Sequence, residues 1–171
     1  GDMNVRTAIA EYINNKFGVE ANAGLIYMTC GAAASLTITL NAITEPGDEV
    51  IAFAPFFPEY RVFAEQAGAK FVTVSCKQED LQIDFDALEK AINKNTKAII
   101  INSPNNPSGV IVPEKDIIKL TDFLKEKGIK FVTSHKNRDK SYTQINGEIQ
   151  LCQKRNQQFN WHGDFVYHPD S

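Results

Sequence analysis

Residues 97–102 read Lys-Ala-Ile-Ile-Ile-Asn, four consecutive apolar residues with no polar alternation. A strand of that kind must hide both of its faces, which points to a parallel sheet covered by helices on each side. The flanking sequence supplies the rest of such a sheet. Mostly apolar runs at 49–54, 70–74 and 129–133 read as further strands, and 26–28 is a shorter candidate. Between them, apolar residues recur at helical spacing over 5–17, 31–43, 58–66, 85–92 and 113–125. Gly18, Gly68 and Gly128 follow three of these helices as stops, Asp84 stands as an N-cap, and Pro113 opens the last helix. Strands alternating with helices of this length predict an α/β fold, a three-layer α/β/α arrangement around a mostly parallel sheet.

The pattern does not run to the end of the chain. Residues 1–134 hold 63 apolar residues and all 16 alanines, whereas 135–171 hold 10 apolar residues, the single Trp and all three His. The two parts are therefore read as separate units: 1–134 as the folded layer structure, and 135–171 as an atypical tail, out of frame or foreign to it. Within the tail only a short strand over 145–151 is expected.

Overall charge narrows the function classes. A formal net charge of −3 is a poor match for nucleic acid or an anionic membrane surface. No stretch is apolar for long enough to form a spanning helix, and no secretory leader is visible, so a cytoplasmic setting is expected. Cys30, Cys76 and Cys152 are odd in number and widely spaced, which suits free thiols in a reducing compartment. His135, His162 and His168 have no ligand spacing between them, so no metal site is expected.

Three loops, each following a strand candidate, carry residues suited to chemistry. Thr29-Cys30-Gly31-Ala32-Ala33-Ala34-Ser35 puts small residues at a helix start, where free N–H groups and the helix dipole favour a phosphate. Close packing of a small-residue helix on a sheet would produce the same residues. Pro55-Phe56-Phe57-Pro58-Glu59-Tyr60 sets two aromatics between prolines, a rigid surface for stacking on a planar ring or for packing onto the core. Asn102-Ser103-Pro104-Asn105-Asn106-Pro107-Ser108-Gly109 places amide side chains, good partners for a phenolic oxygen or a carboxylate, among residues that also favour plain turns. Neither the dinucleotide glycine fingerprint nor the P-loop pattern is present, which disfavours a dehydrogenase.

Taken in order, these loops and the Pro46-Gly47-Asp48-Glu49-Val50 run resemble the pyridoxal-phosphate-dependent aminotransferases of class I/II, the aspartate aminotransferase fold type (fold type I). The resemblance covers residues 1–133 and implies part of that family's large, cofactor-binding domain. It implies pyridoxal 5'-phosphate as cofactor, with an amino acid and a 2-oxo acid as substrates and a homodimer as assembly. By position, the N–H groups of Ala32 and Ala33 would hold the phosphate and Phe57 would stack on the pyridine ring. Asn106 would bond the ring's phenolic oxygen and lie near the substrate carboxylate, and Tyr60 would line the substrate pocket.

The family also needs a Lys that bonds the cofactor, an Asp at the ring nitrogen and an Arg for the substrate carboxylate. Ser134-His135-Lys136-Asn137 stands where the family reads S-D-E-P, and Asp139 is the nearest carboxylate. No match to the family's S-x-[SA]-K motif occurs; Lys140-Ser141-Tyr142 is the nearest stretch, and Lys140 the one lysine candidate. The expectation is that this chain alone lacks the catalytic lysine. Alternative readings are a non-catalytic piece of the large domain and a pyridoxal-phosphate lyase of the same fold type.

Overall fold

The computed structural model describes residues 1–17, 20–134, 158–160 and 165–167. Among the described residues five α-helices and six strands follow one another. They are α1 (Met3–Phe17), α2 (Ala32–Ile43), β1 (Glu49–Ala54), α3 (Glu59–Gln66), β2 (Lys70–Ser75), α4 (Phe85–Ala91), β3 (Thr96–Asn102), α5 (Glu114–Glu126), β4 (Lys130–Ser134), β5 (Gln158–Asn160) and β6 (Phe165–Tyr167). The sheet order is β2-β1-β3-β4-β6-β5. β1 to β4 are parallel to their neighbours, and β6 joins antiparallel to both β4 and β5. The expected α/β class and mostly parallel sheet are what the chain forms.

Local chemistry explains most element ends. Asp84 Oδ1 accepts from Ala87 N at 2.9 Å and caps α4. Asp2 does the same for α1, accepting from Asn4 N at 2.8 Å and Val5 N at 3.2 Å, a cap the spacing of apolar residues did not reveal. Gly128, with φ +67°, ends α5 in the left-handed conformation.

The unbroken apolar run of β3 is fully used. Ile99 and Ile101 face a core with Ile51, Phe53, Leu88, Ile117, Leu120 and Leu124, on the side covered by α4 and α5. Ala98 and Ile100 face the other core, with Val50, Ala52, Leu36, Leu40 and Ala64, on the side covered by α2 and α3. The amphipathic cores thus sit on both faces of one central strand, and three layers result.

One expectation is corrected. Residues 26–28 form no strand. A 3-10 turn at Ala23–Leu25 precedes them, and Ile26 is buried against Ala10 and Ile13 of α1. Its carbonyl accepts from Arg6 Nη1 at 3.2 Å, so a side chain replaces the sheet partner that a strand would need. Backbone at 165–167 pairs with 132–134 and covers that edge of β4. Phe165-Val166-Tyr167 has strand-favouring residues after a Gly163-Asp164 turn dipeptide, a signal too short to stand out in a polar tail. The 145–151 candidate, the Gly18 stop, Cys152, Asp139, Lys140 and the three histidines lie outside the described residues.

At the amino-terminal end of the sheet one polar cluster ties three strand starts together. Glu49, buried at the head of β1, accepts from Lys70 Nζ at 2.9 Å and from Asn93 Nδ2 at 2.7 Å. The Lys70 and Asn93 hydrogen bonds hold the Glu49 carboxyl below its ordinary value of 4.5. A lowered folded value means stability that is complete above the ordinary glutamate range and lost as pH falls through the folded value. Lys70 is largely exposed, so solvent weakens its share. Glu49→Gln is expected to cost about 1–2 kcal/mol at neutral pH. Urea titrations should show that gap to the parent chain shrinking below about pH 4.5. A gap unchanged down to pH ~3 would contradict the assignment.

Candidate active site

Strand order creates the site. β1 connects through α3 to β2 on one side of it, while β3, its neighbour on the other side, connects through α5 to β4. α3 packs on one face of the sheet and α5 on the opposite face. The loops leaving β1 and β3 therefore part in opposite directions and open a crevice at their carboxyl ends. Such a switch point is where open α/β sheets bind ligands. The crevice is lined by Pro55, Phe56, Asn102, Asn105, Ser108 and Cys76, among others.

The aromatic loop stands on one rim. Phe57 is half-buried, and its ring meets Tyr60 edge-on at 5.6 Å and 74°. Phe56 packs edge-on against Phe71, 5.0 Å away. Tyr60 is only 4% exposed and belongs to the core under α3, so it supports Phe57 from below as well as lining the crevice.

The amide loop stands on the other rim. Asn102 is buried and its Oδ1 accepts from Asn106 N at 2.7 Å, fixing the backbone from which the exposed Asn106 side chain projects. Asn105 Oδ1 accepts from Ser108 N at 3.1 Å and Ser108 Oγ at 2.8 Å. Asn105 Nδ2 donates to the Pro55 carbonyl at 3.1 Å, across to the aromatic loop. Ser103 Oγ accepts from Val112 N at 3.1 Å and pins the far end of the loop. The bonds Ala54–Pro55, Ser103–Pro104 and Asn106–Pro107 are cis. Asn102 and Asn105 were not singled out from the sequence. Their residue type was a signal, but which Asn turns inward depends on the strand they leave.

The third loop reaches the same end of the sheet. A tight turn, with Asp48 N bonded to Glu45 O at 3.0 Å, joins the end of α2 to the start of β1. A 12-residue helix and a six-residue strand have similar lengths, about 18 and 20 Å, so α2 begins beside the carboxyl end of β1. Gly31 precedes α2 with φ 108° and ψ 172°, and no side chain caps the helix. The first helical bond is Ser35 N to Gly31 O at 3.1 Å, which leaves the N–H groups of Ala32, Ala33 and Ala34 ahead of it free of helical acceptors. Thr29 Oγ1 bonds the buried Ser35 Oγ at 2.5 Å and holds the loop down on the helix.

Ala32, Ala33, Phe57, Tyr60 and Asn106 thus come to one end of one sheet from three separate stretches. A group with a phosphate and a flat polar ring fits this set. A Cβ added at Gly31, beside the free N–H groups, would meet nothing within 4 Å, an aromatic ring stands on one rim, and an amide projects from the other. A partner for a ring nitrogen is not among the described residues. Elsewhere in the crevice Cys76 is pushed up by burial, and by Asp80 and Asp84, so it is held as a neutral thiol.

Comparison with known proteins agrees with the fold. Residues 1–133 match the model of the family "Aminotransferase class I and II". A solved aminotransferase from Eubacterium rectale is 50% identical with a TM-score of 0.74, covering 79% of this chain and 35% of that one. A single mutant of Thermus thermophilus aspartate aminotransferase is 30% identical with a TM-score of 0.75, covering 79% of this chain and 36% of its own. The probable aspartate/prephenate aminotransferase of Thermus aquaticus is 35% identical over 123 residues, 71% of this chain and 32% of that protein. The chain spans about a third of the length of the curated relatives it matches. With the family model over most of its length and the same layers in solved relatives, the chain belongs to the class I and II aminotransferases.

Proposed function

We propose that residues 1–134 form the cofactor-holding part of an enzyme that moves an amino group between an amino acid and a 2-oxo acid. The observation that carries this reading is the convergence of three unlike loops at the β1/β3 switch point. Aminotransferases of classes I and II depend on pyridoxal phosphate. When bound, that group supplies an electron-withdrawing ring, which is what amino-group transfer requires.

Each residue then has a separate task. The N–H groups of Ala32 and Ala33, with the dipole of α2, bind the phosphate. Phe57, held at its angle by Tyr60, would cover one face of the ring. Asn106 would donate to the phenolic oxygen near the substrate carboxylate, and Tyr60, which lines the crevice, would border the substrate. The free thiols Cys30 and Cys76 support a reducing, cytoplasmic setting, and a homodimer is part of the same reading. The compositional break after residue 134 supports treating 135–171 as a separate tail, of which 165–167 pair with β4. No helix among the described residues is long and apolar enough to cross a membrane.

Equilibrium dialysis of the chain against pyridoxal phosphate and against pyridoxal tests the reading. The phosphate form is expected to be retained more tightly. Phe57→Ala and Asn106→Ala should each weaken retention about tenfold, through loss of ring stacking and of one hydrogen bond. Equal retention of the two forms, or no change in either variant, would refute it.

A further inference from the structure

We infer that Asn105 is a positioning residue that locks the aromatic loop to the amide loop and so sets the spacing between Phe57 and Asn106. The inference rests on the reading of those two side chains as cofactor contacts. Its physical basis is where the backbone ladder ends. β1 and β3 pair up to Ala52 opposite Ile100, and beyond that point the two chains diverge toward opposite faces of the sheet. Past the ladder, the Asn105 Nδ2 bond to the Pro55 carbonyl, 3.1 Å long between residues 50 apart in sequence, joins the loops.

The amide can lie only one way. Ser108 N can only donate, so the atom it meets is Oδ1; Pro55 O can only accept, so the atom it meets is Nδ2. The Asn105 backbone is itself held, its N–H bonded to Val110 O at 2.8 Å and its carbonyl accepting from Gly109 N at 2.7 Å. A fixed backbone and a doubly anchored side chain make a short strut. One end is the residue before Asn106; the other is two residues before Phe57. Pro55 has no N–H, so its carbonyl is its one backbone polar group, and Asn105 satisfies it.

Two jobs are combined in this side chain, and they separate chemically. Asn105→Asp keeps an acceptor for Ser108 but has no N–H for Pro55. Ser108→Ala loses the local hydroxyl bond and keeps the Asn105 donor. Amide hydrogen exchange of the full chain, read on peptides covering 54–60 and 103–110, reports each loop, and dialysis against pyridoxal phosphate and pyridoxal reports the site. For Asn105→Asp, exchange in 54–60 should rise about tenfold while 103–110 stays as in the parent chain, and pyridoxal phosphate retention should fall by about the same factor. Ser108→Ala should leave 54–60 unchanged. The inference is overturned if Asn105→Asp leaves 54–60 unchanged, loosens both loops together, or, where the parent chain prefers pyridoxal phosphate to pyridoxal, loosens 54–60 without loss of retention. Loosening of 54–60 in Ser108→Ala would overturn it too. If the parent chain holds pyridoxal phosphate no better than pyridoxal while the loops still uncouple in Asn105→Asp, the cofactor reading fails and the strut remains.

Discussion

Ile99→Ala is expected to destabilise the chain by about 2–5 kcal/mol, the range for truncating a fully buried branched side chain. Ile99 has no exposed surface and lies in the middle of the central strand, opposite Ile51 on β1 and Phe131 on β4. Its side chain fills the core beneath α4 and α5 together with Leu88, Leu120 and Leu124. Losing three heavy atoms there forfeits transfer energy and leaves a cavity that strands held on both sides cannot close. A domain of this size is typically stable by about 5–15 kcal/mol, so the loss is a large share of the whole. Urea unfolding followed by far-ultraviolet circular dichroism measures it. Ile38, 58% exposed on α2, is the control, and its Ala variant should shift stability by less than about 0.5 kcal/mol. An Ile99→Ala cost below about 1 kcal/mol would mean that the core is not packed as described.

Gly31→Ala is the second large effect, and here the site suffers more than the fold. With φ 108° and ψ 172°, Gly31 occupies a region that only glycine enters freely, and forcing a side chain there costs about 1–3 kcal/mol. Nothing lies within 4 Å of an added Cβ, so the cost is conformational and not a clash. The chain can relieve it by unwinding the first turn of α2. That turn carries the free N–H groups of Ala32, Ala33 and Ala34, so relief of strain disperses the phosphate donors. Pyridoxal phosphate retention in Gly31→Ala should fall to the level of pyridoxal, with pyridoxal itself unaffected because the Phe57 and Asn106 rims are untouched. A variant that keeps its full preference for the phosphate form would place the anion somewhere other than the start of α2.

The sequence alone carried most of what depends on local pattern. β1 occupies 49–54 as its mostly apolar run required, and α4 begins after Asp84 because a carboxylate there can satisfy an amide within the same turn. The three chemically suggestive loops were legible for the same reason, since small, aromatic and amide residues cluster within a few positions of one another. Burial on both faces of β3 was also written in its composition. Matters of partner choice were not. Ile26 looks like a strand residue from its neighbours, yet Arg6 takes its carbonyl and α1 takes its side chain. Residues 165–167 look unremarkable in a polar tail, yet their backbone pairs with β4. Asn105 and Asn106 are chemically identical and adjacent, and only the tertiary structure decides that one struts the crevice while the other projects into solvent. Periodicity and capping are written within a turn or two of chain. The strand order that opens the crevice, and the bond that holds its rims together, depend on groups 50 residues apart that no local pattern connects.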